Sequence, residues 1–204
     1  MTEEQVYIDS GRLKIEGLLE DLPGARAVVV THPHPLYGGD MNNNVVEAVC
    51  RVYRKREYST LKFNFRGTGQ SEGSYGDGMG EQDDVMAALN YLTTLGKKEI
   101  DLVGYSFGAW VNAMGIKKFD QVKRMIMISP PVDFVDFSFL TCNSKIRLVI
   151  SGSDDDIAGV KGIEEGLPVW NPEAIFRVVQ GADHFYQGKT GEMEAEIDNF
   201  LDGG

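Results

Sequence analysis

Ser106 stands between two glycines, in Gly104-Tyr105-Ser106-Phe107-Gly108, at the end of the apolar run "EIDLV". A serine held on a sharp turn exposes its hydroxyl and becomes a nucleophile when a base can take its proton. A small residue in a tight turn satisfies the same spacing, so the chemistry depends on what else the chain supplies. Three aspartates, Asp154, Asp155 and Asp156, follow the apolar run "KIRLVIS", and His184 follows "EAIFRVVQ". Hydroxyl, carboxylate and imidazole therefore come in that order, each just after an apolar stretch. A neutral imidazole is the usual partner of a nucleophilic serine, and a carboxylate behind it orients the ring and stabilises the imidazolium. Of the three histidines, His32 and His34 precede the serine, in "THPHPLYGG", and only His184 follows both serine and acid.

Other chemistries find less support. "HPHP" with Asp40 places two histidines close together but lacks the further ligands of a zinc signature such as H-E-x-x-H. The expectation is no metal, with His32 and His34 fixing a tight loop through their side chains. "GTGQSEG" imitates a dinucleotide fingerprint, yet Glu72 occupies the place of the third glycine, and no Walker-type G-K-[ST] exists. It reads as a glycine-rich bend at a pocket rim, anchored by Arg66, and no cofactor is expected.

The elements that must position these groups alternate. "GRLKIEGLLE" and the residues before it read as an antiparallel hairpin. "ARAVVVTHP", "STLKFNF", "EIDLVGY", "KRMIMIS", "KIRLVIS" and "EAIFRVVQ" read as strands. Between and after them, "NNNVVEAVCRVYRKR", "GEQDDVMAALNYLTTLG", "FGAWVNAMGIKKF" and "GEMEAEIDNFL" read as helices. Asn42 or Asn43 caps the first, and Val45, Val49 and Val52 share one of its faces. Strands alternating with helices make βαβ units, hence a mostly parallel sheet covered on both faces. In such sheets ligands sit beyond the carboxyl ends of the strands, where Ser106, the aspartates and His184 all fall.

With "THPHPLYGGDMNNNVV", "FNFRGTGQSEGSYGDG", "GYSFGA", "GSDDD" and "GADHF" spread over most of its length, the chain resembles the α/β-hydrolase superfamily. More narrowly, it is similar to the small lidless predicted serine hydrolases related to dienelactone hydrolase. That enzyme carries a cysteine nucleophile where Ser106 stands here, so its lactone substrate is not carried over. The resemblance implies an α/β-hydrolase fold, a mostly parallel central sheet behind an N-terminal hairpin, with helices on both faces. It implies a Ser106–His184–Asp catalytic set in the superfamily's chain order. The G-x-x-D spacing counted from Gly152 selects Asp155 as the acid, with Asp154 and Asp156 capping the next helix or facing water. Asp133, in "SPPVDF", is the outside alternative. The oxyanion hole would use the backbone N–H of Phe107 and one from the loop after "VVVT". Pro33 and Pro35 have no N–H, which leaves His34 and Leu36, with His34 favoured. The segment between "MISPP" and "KIRLV" is too short for a large lid. Its phenylalanines, Phe134, Phe137 and Phe139, are expected in the core, in an acyl pocket or at a contact between copies.

Composition bounds the answer. The 204 residues suit one domain, 1–204, and a net charge of −11 repels nucleic-acid phosphates and anionic membranes. Cys50 and Cys142 are too few for a disulfide scaffold, and Cys50 falls on the apolar side of a helix as a buried thiol. "MTEEQVYIDS" has no apolar leader segment, so a cytoplasmic setting is expected. The function expected is hydrolysis of a small ester or related acyl compound by a monomer or homodimer. The rival expectations are a non-catalytic sensor on the same fold and an acyltransferase or thioesterase.

Overall fold

The computed structural model describes residues 3–203; Met1, Thr2 and Gly204 of the expected 1–204 unit lie outside the described residues. β1 (Glu4–Ser10) and β2 (Leu13–Glu20) form the expected hairpin. β3 (Arg26–Thr31) follows, then α1 (Asn44–Lys55), β4 (Ser59–Phe63), α2 (Met79–Thr94), β5 (Glu99–Tyr105) and α3 (Phe107–Gly115). β6 (Val122–Ile128), β7 (Ile146–Gly152), α4 (Val160–Trp170), β8 (Ile175–Val179) and α5 (Thr190–Asp202) complete the order. The strands make one sheet, β1-β2-β4-β3-β5-β6-β7-β8, in which β3 to β8 run parallel and β2 joins β4 antiparallel.

The near-continuous apolar runs reflect burial on both faces. Val28 and Val30 point to the layer of α1 and α5, while Val29 points to the layer of α2, α3 and α4. Each such side chain contributes about 1.5–3 kcal/mol by leaving water. α1 starts where Asn43 accepts the Val45 N–H at 2.9 Å, and Val45, Val49 and Val52 are buried together as their spacing predicts. On α5, Met193 and Ile197 are buried and Phe200 and Leu201 pack beside them.

Two elements differ from their sequence pattern. The "STLKFNF" strand stops at Phe63, because Asn64 and Phe65 form other bonds. Asn64 accepts the Met41 N–H at 2.9 Å, and the Phe65 N–H donates to the His32 ring at 3.0 Å. The helix after the aspartates, α4, carries Gly162, Gly166 and Pro168, which blur its helical periodicity. Residues 129–145, between β6 and β7, contain no helix, so no large lid stands there. Among the described residues no helix is long and apolar enough to cross a membrane.

Candidate active site

At the carboxyl end of β5 the chain turns directly into α3, and Ser106 occupies the turn with φ 52° and ψ −118°. That backbone region costs a non-glycine residue about 1–3 kcal/mol, so the surroundings must enforce it. They do so from both sides. The Ser106 N–H donates to Ile128 O at 2.9 Å, and the Ser106 carbonyl accepts from Ala109 and Trp110 N–H at 2.9 and 3.2 Å. Gly104 and Gly108 are required by close approach. A Cβ on Gly104 would lie 2.6 Å from the Ala109 backbone, and one on Gly108 only 2.5 Å from Thr31 Oγ1.

The sheet order then assembles the partners. His184 reaches back from the loop after β8, and its Nε2 lies 2.9 Å from Ser106 Oγ. Its Nδ1 lies 2.9 Å from both carboxylate oxygens of Asp155, which follows β7. A carboxylate only accepts, so Nδ1 carries the hydrogen and Nε2 accepts from the serine hydroxyl. All three side chains are buried. Burial pushes the Asp155 carboxyl up, but His184, the Ala158 N–H and the Ser129 hydroxyl outweigh it and hold the group below the usual carboxylate range. The Ile157 and Ala158 N–H groups donate to Oδ1 at 3.0 and 2.8 Å. Tyr105 anchors the histidine loop by donating to His184 O at 2.7 Å.

The other acids stand elsewhere. Asp154 and Asp156 are exposed, and neither caps α4, whose first turn has no side-chain cap. Asp133 accepts the Gly159 N–H at 2.8 Å and so braces the entry to α4 from across the loop.

The "HPHP" loop lies against the start of α3. His32 is fully buried; its Nδ1 faces Pro33 O at 2.6 Å and its Nε2 accepts the Phe65 N–H at 3.0 Å. Both ring nitrogens are committed to backbone, and burial brings this imidazole down to about 4. His34 Nδ1 accepts the Leu36 N–H at 3.2 Å, which makes its Nε2–H the donor to Tyr75 OH at 3.2 Å. Burial lowers this ring too, against the raising pull of Glu81 and Asp77. Leu36, the alternative oxyanion donor, thus has its N–H engaged. The Phe107 and His34 N–H groups meet no protein acceptor among the described residues.

Aromatic rings cluster around Phe107, the residue after the serine. The His34 ring centroid lies 4.7 Å from Phe107 and 4.8 Å from Tyr37, and Phe107 lies 5.8 Å from both Tyr75 and Trp110. Arg66 holds the glycine-rich bend, as expected, through Asp84. Its Nη2 and Nε lie 2.8 and 3.1 Å from that fully buried carboxylate, and its N–H donates at 3.0 Å. Phe137 is buried against Trp170, 5.3 Å between centroids, on the wall of a groove of about 440 Å³ with Val132, Leu140 and Val169. Ser106, His184 and Asp155 do not line that groove; Phe134 is exposed.

Sequence patterns did not single out Asp84, Tyr105, Ser129 or Tyr186. The available signal for the last three was a hydroxyl at a strand end or two residues past His184.

No protein-family model matches the chain. It is 32% identical over 209 residues to an uncharacterised protein of Rickettsia prowazekii, across 97% of this chain and 88% of that one. An α/β serine hydrolase homologue from Coxiella burnetii shares 30% identity and a TM-score of 0.91, with 98% of each chain covered. A lidless α/β serine hydrolase from Xanthomonas campestris shares 26% identity and a TM-score of 0.89, over 98% of this chain and 93% of that one.

Proposed function

The chain belongs to the α/β-hydrolase superfamily, and from that premise we propose that it is a serine hydrolase of small esters or related acyl compounds. The observation that carries this reading is the unbroken chain Ser106 Oγ to His184 Nε2 to Asp155, at 2.9 Å per link. Ser106 Oγ attacks the substrate carbonyl carbon while His184 Nε2 takes the hydroxyl proton. Asp155 holds the ring and balances the imidazolium charge. The negative charge on the carbonyl oxygen is met by the Phe107 and His34 N–H groups, which no protein acceptor among the described residues occupies. Such a donor typically supplies about 3–4 kcal/mol of transition-state stabilisation. Collapse expels the leaving group, which receives the proton from His184. Water then attacks the acyl-enzyme, with His184 as base, and Ser106 is regenerated. The aromatic cluster around Phe107 and the short 129–145 segment favour compact, largely apolar acyl groups.

A fluorophosphonate probe tests the reading. Covalent labelling at Ser106, absent in Ser106→Ala, is the expected result. A folded protein that stays unlabelled overturns it and favours a sensor on the same fold. Turnover of short p-nitrophenyl esters to free acid, rather than acyl transfer, separates hydrolase from acyltransferase.

A further inference from the structure

The run His32-Pro33-His34-Pro35 after β3 leaves the backbone few torsions to turn. The ring of Pro33 fixes its φ, so its ψ alone sets the tilt of the peptide that follows. That peptide joins Pro33 to His34, and its N–H is the candidate oxyanion donor. On the far side, Pro35 pushes His34 towards an extended conformation, observed at φ −58° and ψ 120°.

One bond settles the remaining torsion. His32 Nδ1 lies 2.6 Å from Pro33 O, the carbonyl of that same peptide. The direction of the bond is fixed from outside the loop. The Phe65 N–H can only donate, and at 3.0 Å it occupies His32 Nε2, so the ring hydrogen stands on Nδ1 and points at Pro33 O. The peptide is trans, and a planar trans peptide sends its C=O and N–H to opposite sides. Holding the carbonyl therefore turns the His34 N–H the other way, where it meets no protein acceptor among the described residues. The carbonyl is confined from a second direction as well. A Cβ on Gly39 would lie 2.2 Å from Pro33 O, so the Gly39 backbone presses on this peptide. Asn64, beside Phe65, holds the loop's return by accepting the Met41 N–H at 2.9 Å. Its amide has one orientation, because Nδ2 donates to the buried Glu16 carboxylate at 2.9 Å. His32 itself is fully buried with both ring nitrogens bound to backbone, so it has no direct part in the chemistry.

We propose that His32, locked in one tautomer by Phe65, sets the direction of the His34 N–H by holding the Pro33 carbonyl. It is a positioning residue, and this role rests on the Ser106–His184–Asp155 hydrolase reading above. Without the bond, ψ of Pro33 is free to turn, and the donor is no longer aimed before the oxyanion forms.

The test is saturation kinetics of inactivation by a fluorophosphonate, whose phosphoryl oxygen takes the place of the substrate oxyanion, for wild type, His32→Gln and Gly39→Ala. His32→Gln keeps an acceptor for the Phe65 N–H and loses the donor to Pro33 O. Its maximal inactivation rate is expected to fall about ten- to hundredfold, with the half-saturating concentration within about threefold of wild type and labelling still going to completion. Gly39→Ala changes no hydrogen-bonding group and pushes the Pro33 carbonyl aside. It is expected to slow labelling in the same way, and it is read by the same criteria if His32→Gln does not fold. A folded His32→Gln labelled as fast as wild type overturns the proposal. So does one in which the labelled fraction falls and the rate per labelled site does not, because a merely structural role lowers the folded amount alone. A wild type that is not labelled at all overturns instead the reading on which it rests.

Discussion

Replacing His32 by glutamine changes how the protein responds to acid. In the folded state the ring is fully buried and donates through Nδ1 to Pro33 O while Nε2 accepts the Phe65 N–H. A second ring proton would point one donor at another. Burial, the largest cause, lowers this imidazole from 6.5 to about 4, against the raising pull of the Pro33 carbonyl and Asp40. The unfolded chain therefore binds a proton between those pH values and the folded chain does not. Stability rises with pH across that window and falls on acidification. At about 1.4 kcal/mol per tenfold change in proton affinity, His32 alone removes about 3 kcal/mol between pH 6.5 and about pH 4. His32→Gln keeps an acceptor for the Phe65 N–H but leaves Pro33 O unpartnered, for about 1 kcal/mol at neutral pH. Its dependence on acid should be flatter by those same 3 kcal/mol. Urea unfolding of both proteins at about pH 7 and about pH 4 measures the difference, and carboxylates common to both cancel. Equal pH dependence in the two proteins would refute the reasoning, since His32 would then charge in the folded state without cost.

Two further outcomes follow from the site. Asp155→Asn presents an amide hydrogen to His184 Nδ1 and favours the tautomer with hydrogen on Nε2, which cannot accept from Ser106. The inactivation rate by a fluorophosphonate should fall by about 10⁴-fold, and a fall of less than about tenfold would contradict the assigned bond directions. Arg66→Ala strands the fully buried Asp84 carboxylate, which keeps only the Ser10 hydroxyl at 2.8 Å and the residue-66 N–H. Losing one partner of a buried pair costs about 3–5 kcal/mol, read from the urea midpoint; a loss below about 1 kcal/mol would mean that the ion pair does not support the bend.

The sequence by itself determined the strand and helix order, the position of Ser106 on its turn and the succession serine, aspartate, histidine at strand ends. These are local properties. Apolar runs report burial on both faces, and glycines report where backbones press together, as Gly104 and Gly108 do. Asn43 could be read as a cap for the same reason, since it bonds two residues away. The helix α4 was hard to place because its glycines and proline weaken the only local signal a helix gives. Only the tertiary structure decided which of four aspartates meets the histidine. "GSDDD" offers three carboxylates, of which the family resemblance favours Asp155, and the turn after β7 buries that one beside His184 while Asp154 and Asp156 face water. Asp133, the outside alternative, is drawn to the Gly159 N–H instead. The Tyr186–Ser129 contact joins residues 57 apart in sequence, and the strand order that brings them together is a non-local choice. Hydrogen-bond partners of buried groups are set by what lies across the space between elements, and a pattern along one chain does not carry that information.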